Sequence, residues 1–370
     1  MGQERGLYRG IDHLIGEIMM KEKIQDRIVS PQMSLIDAMK RMDALGVKIL
    51  FVYEENIFLG LLTIGDIQRA IIRNVALNDV IGKILDKNKI YASTDDEESV
   101  IKEKMRRLRA ECMPIIDGNG NLVDVWFWKE IFINEKAPER NPIDVPVVIM
   151  AGGKGTRLRP LTNVIPKPLV PIGQKTILEE IMDRFEGIGC KRFYMSVNYK
   201  SDMIKYYLSQ LEHQYQIEFF QETRPLGTIG SVALLKEIIH TPFFVSNCDI
   251  LIDQDYREVY DYHVANHNEL TVITAVKSHQ IPYGVVETGE NGLMTALKEK
   301  PETTYMINTG VYVLNPELIS DIPQGEFFHI TDLMEVIRRR GGRIGCFPVS
   351  ENAWRDVGEW NEYLKMIDVL

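Results

Sequence analysis

The middle of the chain carries a segment suited to gripping phosphate: Met150-Ala151-Gly152-Gly153-Lys154-Gly155-Thr156-Arg157-Leu158-Arg159-Pro160-Leu161-Thr162. Its closely spaced glycines let backbone N–H groups approach a polyphosphate with no Cβ in the way. Cationic side chains follow, and Pro166-Lys167-Pro168 then sets a lysine between two stiffening prolines, which holds a point charge ready for a phosphoryl group. The segment is not a Walker A motif, because no Gly-Lys-Ser/Thr closes it. It is not a dinucleotide fingerprint either, since Leu158 stands where the third glycine of Gly153-x-Gly155-x-x-Gly would be.

Chemistry at a polyphosphate calls for a divalent cation, and Mg²⁺ usually takes one or two protein carboxylates, with phosphate oxygens and water completing its shell. Asp249 follows the apolar run Phe243 to Cys248, and Asp356 lies in Trp354-Arg355-Asp356-Val357-Gly358, after the strand-like Ile344 to Val349. Taken singly, each reads as a cap, of a turn or of the last helix; the phosphate segment upstream is what makes them a candidate pair.

These residues need a scaffold. Val145 to Met150 is a compact apolar run ending at the glycines, Ile177 to Gly187 is amphipathic, and Arg192 to Val197 has strand character. Ser201-Asp202 reads as the cap of a helix Met203 to Leu211, followed by a strand Ile217 to Phe220, a helix Ser231 to Ile239 and a strand Pro242 to Val245. Such alternation predicts an α/β domain with a Rossmann-like, mostly parallel, doubly wound sheet and ligands at the carboxyl ends of its strands.

Between Asn134 and Pro146, three prolines among polar residues predict an extended linker. The expected division is a smaller module over residues 1–135, a linker over 136–146 and the α/β domain over 147–370. Inside the smaller module a single pattern occurs twice: a helix, a strand, a turn, a short strand and a helix. In the first copy, Gly60-Leu61-Leu62-Thr63-Ile64-Gly65-Asp66-Ile67, Thr63 can cap the helix and Asp66 can sit in its first turn. In the second copy Asp124, Phe127 and Glu130 stand at the positions of the glycine, Thr63 and Asp66, and Trp126-Phe127-Trp128 reads as an exposed run free to pack on a partner or on the α/β domain.

Composition bounds the possibilities. The 370 residues, 45% hydrophobic and 26% charged, suit two compact globular domains. A net charge of −10 repels polyanions, which excludes nucleic acid as the expected partner and leaves phosphate ligands to local Arg and Lys. Cys112, Cys190, Cys248 and Cys346 form no C-x-x-C pair and read as reduced thiols. Neither a signal-like opening nor an apolar run of membrane-spanning length is present, so a cytoplasmic protein with no membrane partner is expected.

The phosphate segment resembles the sugar-phosphate nucleotidyltransferase family, whose signature G-G-x-G-T-R-L-x-P-x-T-x-x-x-P-K-P is matched at every fixed position from Gly152 to Pro168. The resemblance runs from Val145 to near the C-terminus. It implies that Ala151, Gly152, Gly153, Gly155, Thr156 and Arg157 hold a nucleoside triphosphate and that Lys167 meets the reacting phosphates. Asp249 and Asp356 become Mg²⁺ ligands, with Cys248 replacing the glycine that commonly precedes the first; Arg157, Lys167 and Asp249 are the implied catalytic residues. Leu226, Gly227 and Thr228 lie against the base, while Glu299, Lys300, Asn308 and Thr309 take the sugar phosphate.

Pro225-Leu226-Gly227-Thr228-x-Gly230 is similar to the guanylyltransferase branch, as in mannose- or heptose-1-phosphate enzymes. GTP and a hexose or hexosamine 1-phosphate are therefore the expected substrates, with UTP, dTTP and CTP open. The repeat upstream resembles an α+β CBS pair, which implies an adenine-nucleotide effector at Thr63 and Asp66, or a face for homo-oligomers. A CBS pair ahead of such a domain is similar to the glucosamine-1-phosphate guanylyltransferases of the legionaminic acid pathway. A silent regulatory subunit would be expected to lack a metal carboxylate or a phosphate cation; here all four such residues are present.

Overall fold

The computed structural model describes residues 23–86, 88–133, 142–212, 215–222 and 224–368. It divides into two compact units, Met1–Arg140 and Asn141–Leu370. Most of the linker expected over residues 136–146 lies outside the described residues; Ile143 and Val145, inside them, are buried in the second unit.

The first unit contains the same small sheet twice. Strands β1 (Ile28–Val29), β2 (Ile49–Glu54) and β3 (Ile57–Thr63) form one sheet; β4 (Ala92–Ser93), β5 (Cys112–Ile116) and β6 (Leu122–Phe127) form the other. In each, a parallel pair adjoins an antiparallel hairpin. Helices Leu35–Leu45 and Ile64–Ile72 accompany the first, and Glu98–Leu108 and Trp128–Ile131 the second. The two halves share a core in which Phe51, Phe58 and Leu61 meet Cys112, Leu122 and Val125.

The aromatic run 126–128 is not the free surface that its sequence suggests. Trp128 is buried with its ring 4.1 Å from that of Phe132, Lys23 and Arg27 lie over the Phe127 ring, and the Trp126 indole donates to Asp124. The unit's own core and cations take up these rings, which periodicity alone does not reveal.

The second unit is built on a seven-stranded sheet. It contains β7 (Val147–Ala151), β10 (Arg192–Val197), β11 (Gln216–Gln221), β12 (Phe243–Asn247), β14 (Leu270–Gln280), β17 (Glu302–Leu314) and β18 (Ile344–Ser350), in the order β11-β10-β7-β12-β17-β14-β18. Only β17 runs antiparallel to its neighbours. Short pairs β8 (Pro171–Ile172) with β9 (Lys175–Thr176), β13 (Ile250–Ile252) with β19 (Trp354–Asp356), and β15 (Val285–Thr288) with β16 (Met294–Lys298) decorate it.

Alternation along the strands covers both faces. Phe244 packs with Phe185 of helix Ile177–Glu186 and Tyr256 of helix Tyr256–Ala265. Its neighbour Val245 packs with Ile229, Leu333 and Ile337 on the other face, the last two from helix Ile330–Arg339.

Two local expectations are corrected. The stretch 231–239 is not an α-helix; a 3₁₀ turn spans Gly230–Leu235. Ser231 there is buried and bonded to Ser196, so packing on several sides shapes the turn rather than an amphipathic face. The helix expected to be capped by Ser201-Asp202 includes both, as Ser201–Ser209. Its N-cap is Lys200, which sits at φ +53° and extends its ammonium to the carbonyls of Asn163 and Val164, 2.6 Å from each. Among the described residues, no helix is long and apolar enough to cross a membrane.

Candidate active site

β7 ends at the buried Ala151, and the glycine segment turns the chain at the carboxyl edge of the sheet. Gly155 is left-handed at φ +62°, and a Cβ there would lie 2.9 Å from the Lys167 Cβ and 3.0 Å from the Thr162 Cγ2. Thr162 also donates its hydroxyl to the Gly155 carbonyl at 2.7 Å. The loop is thereby pressed onto the stem of Lys167, which only a glycine allows. Gly153 and Thr156 are exposed on the open side, and a Cβ at Gly153 would meet nothing within 4 Å.

β12 runs parallel to β7 in the register Asn247↔Met150, so Asp249, two residues on, emerges beside the glycine loop. Its carboxylate receives the Lys167 ammonium, and both side chains are largely buried. Pairing of β13 with β19 sets Ile250 opposite Asp356, and Val357 donates its N–H to the Asp249 carbonyl at 2.9 Å. Two aspartates 107 positions apart in sequence become neighbours through this ribbon. A Cβ added to Gly358 would collide with Asp249 Oδ2, Lys167 Nζ and Asp356 Oδ1, so these three groups converge on one small volume.

The Arg157 guanidinium completes the cluster. It bonds to Glu359 and stands 3.9 Å from Asp249 and 3.7 Å from Asp356. Burial alone would lower its pKa, but the Glu359 bond and the surrounding carboxylates raise it. The Asp356 carboxyl is pushed above its ordinary range, first by burial and then by the charge of Asp249. Two carboxylates at one point, one of them destabilised by the other, are a donor set that fits a hard divalent cation. Among the described residues no group of three or more His, Cys, Asp or Glu could hold a metal, so this pair would rely on phosphate oxygens and water for the remaining ligands. Cys248 is accommodated in the core, its thiol pushed up to about 12 by burial, and it leaves the Asp249 carboxylate in place.

The loop after β11 adjoins the glycine segment through a residue to which sequence reasoning gave no role. Glu222 is buried, accepts from the Ser196 hydroxyl at 2.6 Å and from the Leu226 N–H at 3.3 Å, and lies where a Cβ on Gly152 would be 3.5 Å from its carboxylate. Its presence at the head of Gln221-Glu222-Thr223-Arg224 was the available signal. The Leu226 side chain is itself buried; Gly227 lies against the Phe328 backbone, and Thr228 accepts from the Ile330 N–H. This loop is stitched to the start of helix Ile330–Arg339.

The sugar candidates fall into two groups. The 308–310 segment of β17 lies against Asn247 and Ile250, which flank Asp249. Glu299 and Lys300 are exposed beyond β16, and no described contact links them to Arg157, Lys167 or the aspartates. Asn308 accepts from the Gly310 N–H and the Tyr312 hydroxyl, while the buried Thr309 donates its hydroxyl to the Ile273 carbonyl at 2.8 Å. Glu359 and Trp360 were also missed; the Trp360 indole donates to the Arg159 carbonyl at 2.8 Å.

In the first unit Thr63 and Asp66 form a reciprocal capping box at the start of helix Ile64–Ile72. Asp66 also receives Lys89 and Arg69. Burial works to raise the Asp66 pKa, but Lys89 and Thr63 outweigh it and the net shift is downward.

The nucleotidyl transferase family model matches residues 146–369, and the CBS domain model matches residues 15–73. A mannose-1-phosphate guanyltransferase from Yarrowia lipolytica is 32% identical over 226 residues, 59% of this chain and 61% of that protein. One from Saccharomyces cerevisiae is 31% identical over 226 residues, 59% of this chain and 62% of that protein. The crystal structure of HddC from Yersinia pseudotuberculosis, 27% identical, aligns over 61% of this chain and 99% of that one with a TM-score of 0.49. The chain spans about three fifths of the length of these guanyltransferases. With most of its length matched by one family model, the chain belongs to the nucleotidyl transferase family and carries a CBS domain ahead of that region.

Proposed function

We propose that this protein transfers a nucleoside monophosphate from a nucleoside triphosphate to a sugar 1-phosphate. An oxygen of the sugar phosphate attacks the α-phosphorus in line, the bond from that phosphorus to the oxygen bridging to the β-phosphate breaks, and pyrophosphate leaves. The observation that carries this reading is the convergence of Lys167, Asp249 and Asp356 over Gly358, with Arg157 beside them and the glycine loop in front.

In this reading the backbone of Gly152, Gly153 and Gly155 receives the triphosphate and Arg157 binds its outer oxygens. Lys167, freed from Asp249, meets charge developing at the α-phosphate. Asp249 and Asp356 would hold Mg²⁺, which supplies charge neutralisation at the reacting phosphates. Positioning and charge stabilisation account for the acceleration, without a covalent enzyme intermediate.

GTP is the preferred triphosphate, supported by the Pro225-Leu226-Gly227-Thr228 segment and by relatives named as guanyltransferases. The acceptor is a hexose or hexosamine 1-phosphate, met by Glu299, Lys300 and Asn308. Residues 1–135 serve as the regulatory module, with an adenine nucleotide as effector at Thr63 and Asp66, and the chain works in the cytoplasm as a homo-oligomer.

A matrix of GTP, UTP, dTTP and CTP against hexose and hexosamine 1-phosphates, read by pyrophosphate release, tests this directly. The expected result is turnover confined to one or two acceptors and fastest with GTP. No pyrophosphate from any pair would refute the reading.

A further inference from the structure

Three carboxylates surround one guanidinium in the cluster, and they share it unequally. Glu359 is in hydrogen-bond contact with Arg157, whereas Asp356 and Asp249 stand 3.7 and 3.9 Å away, beyond hydrogen-bond length. Asp249 is already paired with Lys167, so the carboxylate that Arg157 could otherwise take is Asp356, within reach but beyond hydrogen-bond length. Chain geometry supplies the reason. Glu359 begins the turn into helix Trp360–Asp368, and its neighbour Trp360 is pinned to the other side of the same loop through the Arg159 carbonyl. The two contacts clasp the loop on either side of Leu158.

We infer that Glu359 is a positioning residue that holds Arg157 off the Asp356 carboxylate, keeping that group open to a divalent cation and aiming the guanidinium at the triphosphate. Without it, the flexible Arg157 side chain folds onto Asp356 and competes with the metal-bound nucleotide for the same place. In this reading Glu359 acts through Arg157. The inference rests on the nucleotidyltransferase reading but makes a separate demand.

The test is calorimetric titration of the full chain with a non-hydrolysable GTP analogue in the presence of Mn²⁺, so that no turnover is needed. Glu359→Ala is expected to weaken binding about tenfold, and Glu359→Gln, which still accepts from the guanidinium, by much less. In an Arg157→Ala background, where no competitor remains, adding Glu359→Ala is expected to change binding little. Steady-state kinetics of Glu359→Ala should show a raised KM for the triphosphate with KM for the sugar phosphate unchanged. Circular dichroism and thermal melting identify any variant that fails to fold, and Glu359→Gln then carries the comparison. Unchanged or tighter binding in both Glu359 variants, or an equal loss with and without Arg157, would overturn the inference alone. A wild-type protein that binds no triphosphate with Mn²⁺ would overturn the underlying reading as well.

Discussion

Asp66 and Asp356 are both acidic side chains drawn out of water, and they end in opposite states. Asp66 accepts from the backbone and hydroxyl of Thr63 and from Lys89 and Arg69, and its pKa falls. Asp356 accepts from the Gly358 N–H, faces a second carboxylate, and its pKa rises. A buried carboxylate with its partners in place is architecture. One placed against its own kind is held there by the rest of the fold, and such an arrangement is what a cation site requires.

The largest effects should come from the cluster around Asp356. Lys167→Ala and Asp249→Asn are each expected to reduce pyrophosphate release by at least about 10³-fold with circular dichroism unchanged, because each removes a charge that the proposed mechanism sets at the reacting phosphates. Gly358→Ala should fall between these and wild type, about 10- to 100-fold down, since its methyl group would displace all three converging groups. Near-normal turnover from Lys167→Ala or Asp249→Asn would remove that residue from the mechanism.

The satisfied side predicts stability rather than chemistry. Thr63→Ala should cost the first unit about 1 kcal/mol through the lost cap, and Asp66→Asn about 2 kcal/mol by leaving Lys89 and Arg69 without their anion. Hydrogen exchange of helix Ile64–Ile72 would read both. The pH dependence has a definite sign. Because the folded pKa of Asp66 lies below its ordinary value of 3.8, its contribution is complete above that value and is lost as pH falls through the lower, folded one. The gap between wild type and Asp66→Asn should therefore close in strong acid; a gap that persists there would mean that packing, not charge, is responsible.

The contrast also explains what could be read before the fold was known. The glycine segment and Pro166-Lys167-Pro168 were legible because their chemistry is local: each loop residue lies within a few positions of its partners. The helix 177–186 was legible from its apolar face, and the strands 192–197 and 243–247 from short runs rich in apolar residues that suit a sheet covered on both sides. Glu222 and Glu359 were not, because what gives them meaning lies elsewhere in the chain: Gly152 and Ser196 for the first, Arg157 for the second. The 3₁₀ turn at Gly230–Leu235 escaped for a similar reason, since its winding follows contacts on several sides. Thr309 was legible as a residue but not as a direction; nothing local shows that its hydroxyl faces Ile273.

The proposed function depends on Asp249 and Asp356 sharing one cation at the glycine loop. Anomalous diffraction from crystals grown with Mn²⁺ and a non-hydrolysable GTP analogue measures this most directly. The account predicts one manganese peak bridging both carboxylates and the triphosphate, with the phosphates over Gly152 to Gly155. A triphosphate bound elsewhere, or a metal held by neither aspartate, would contradict it.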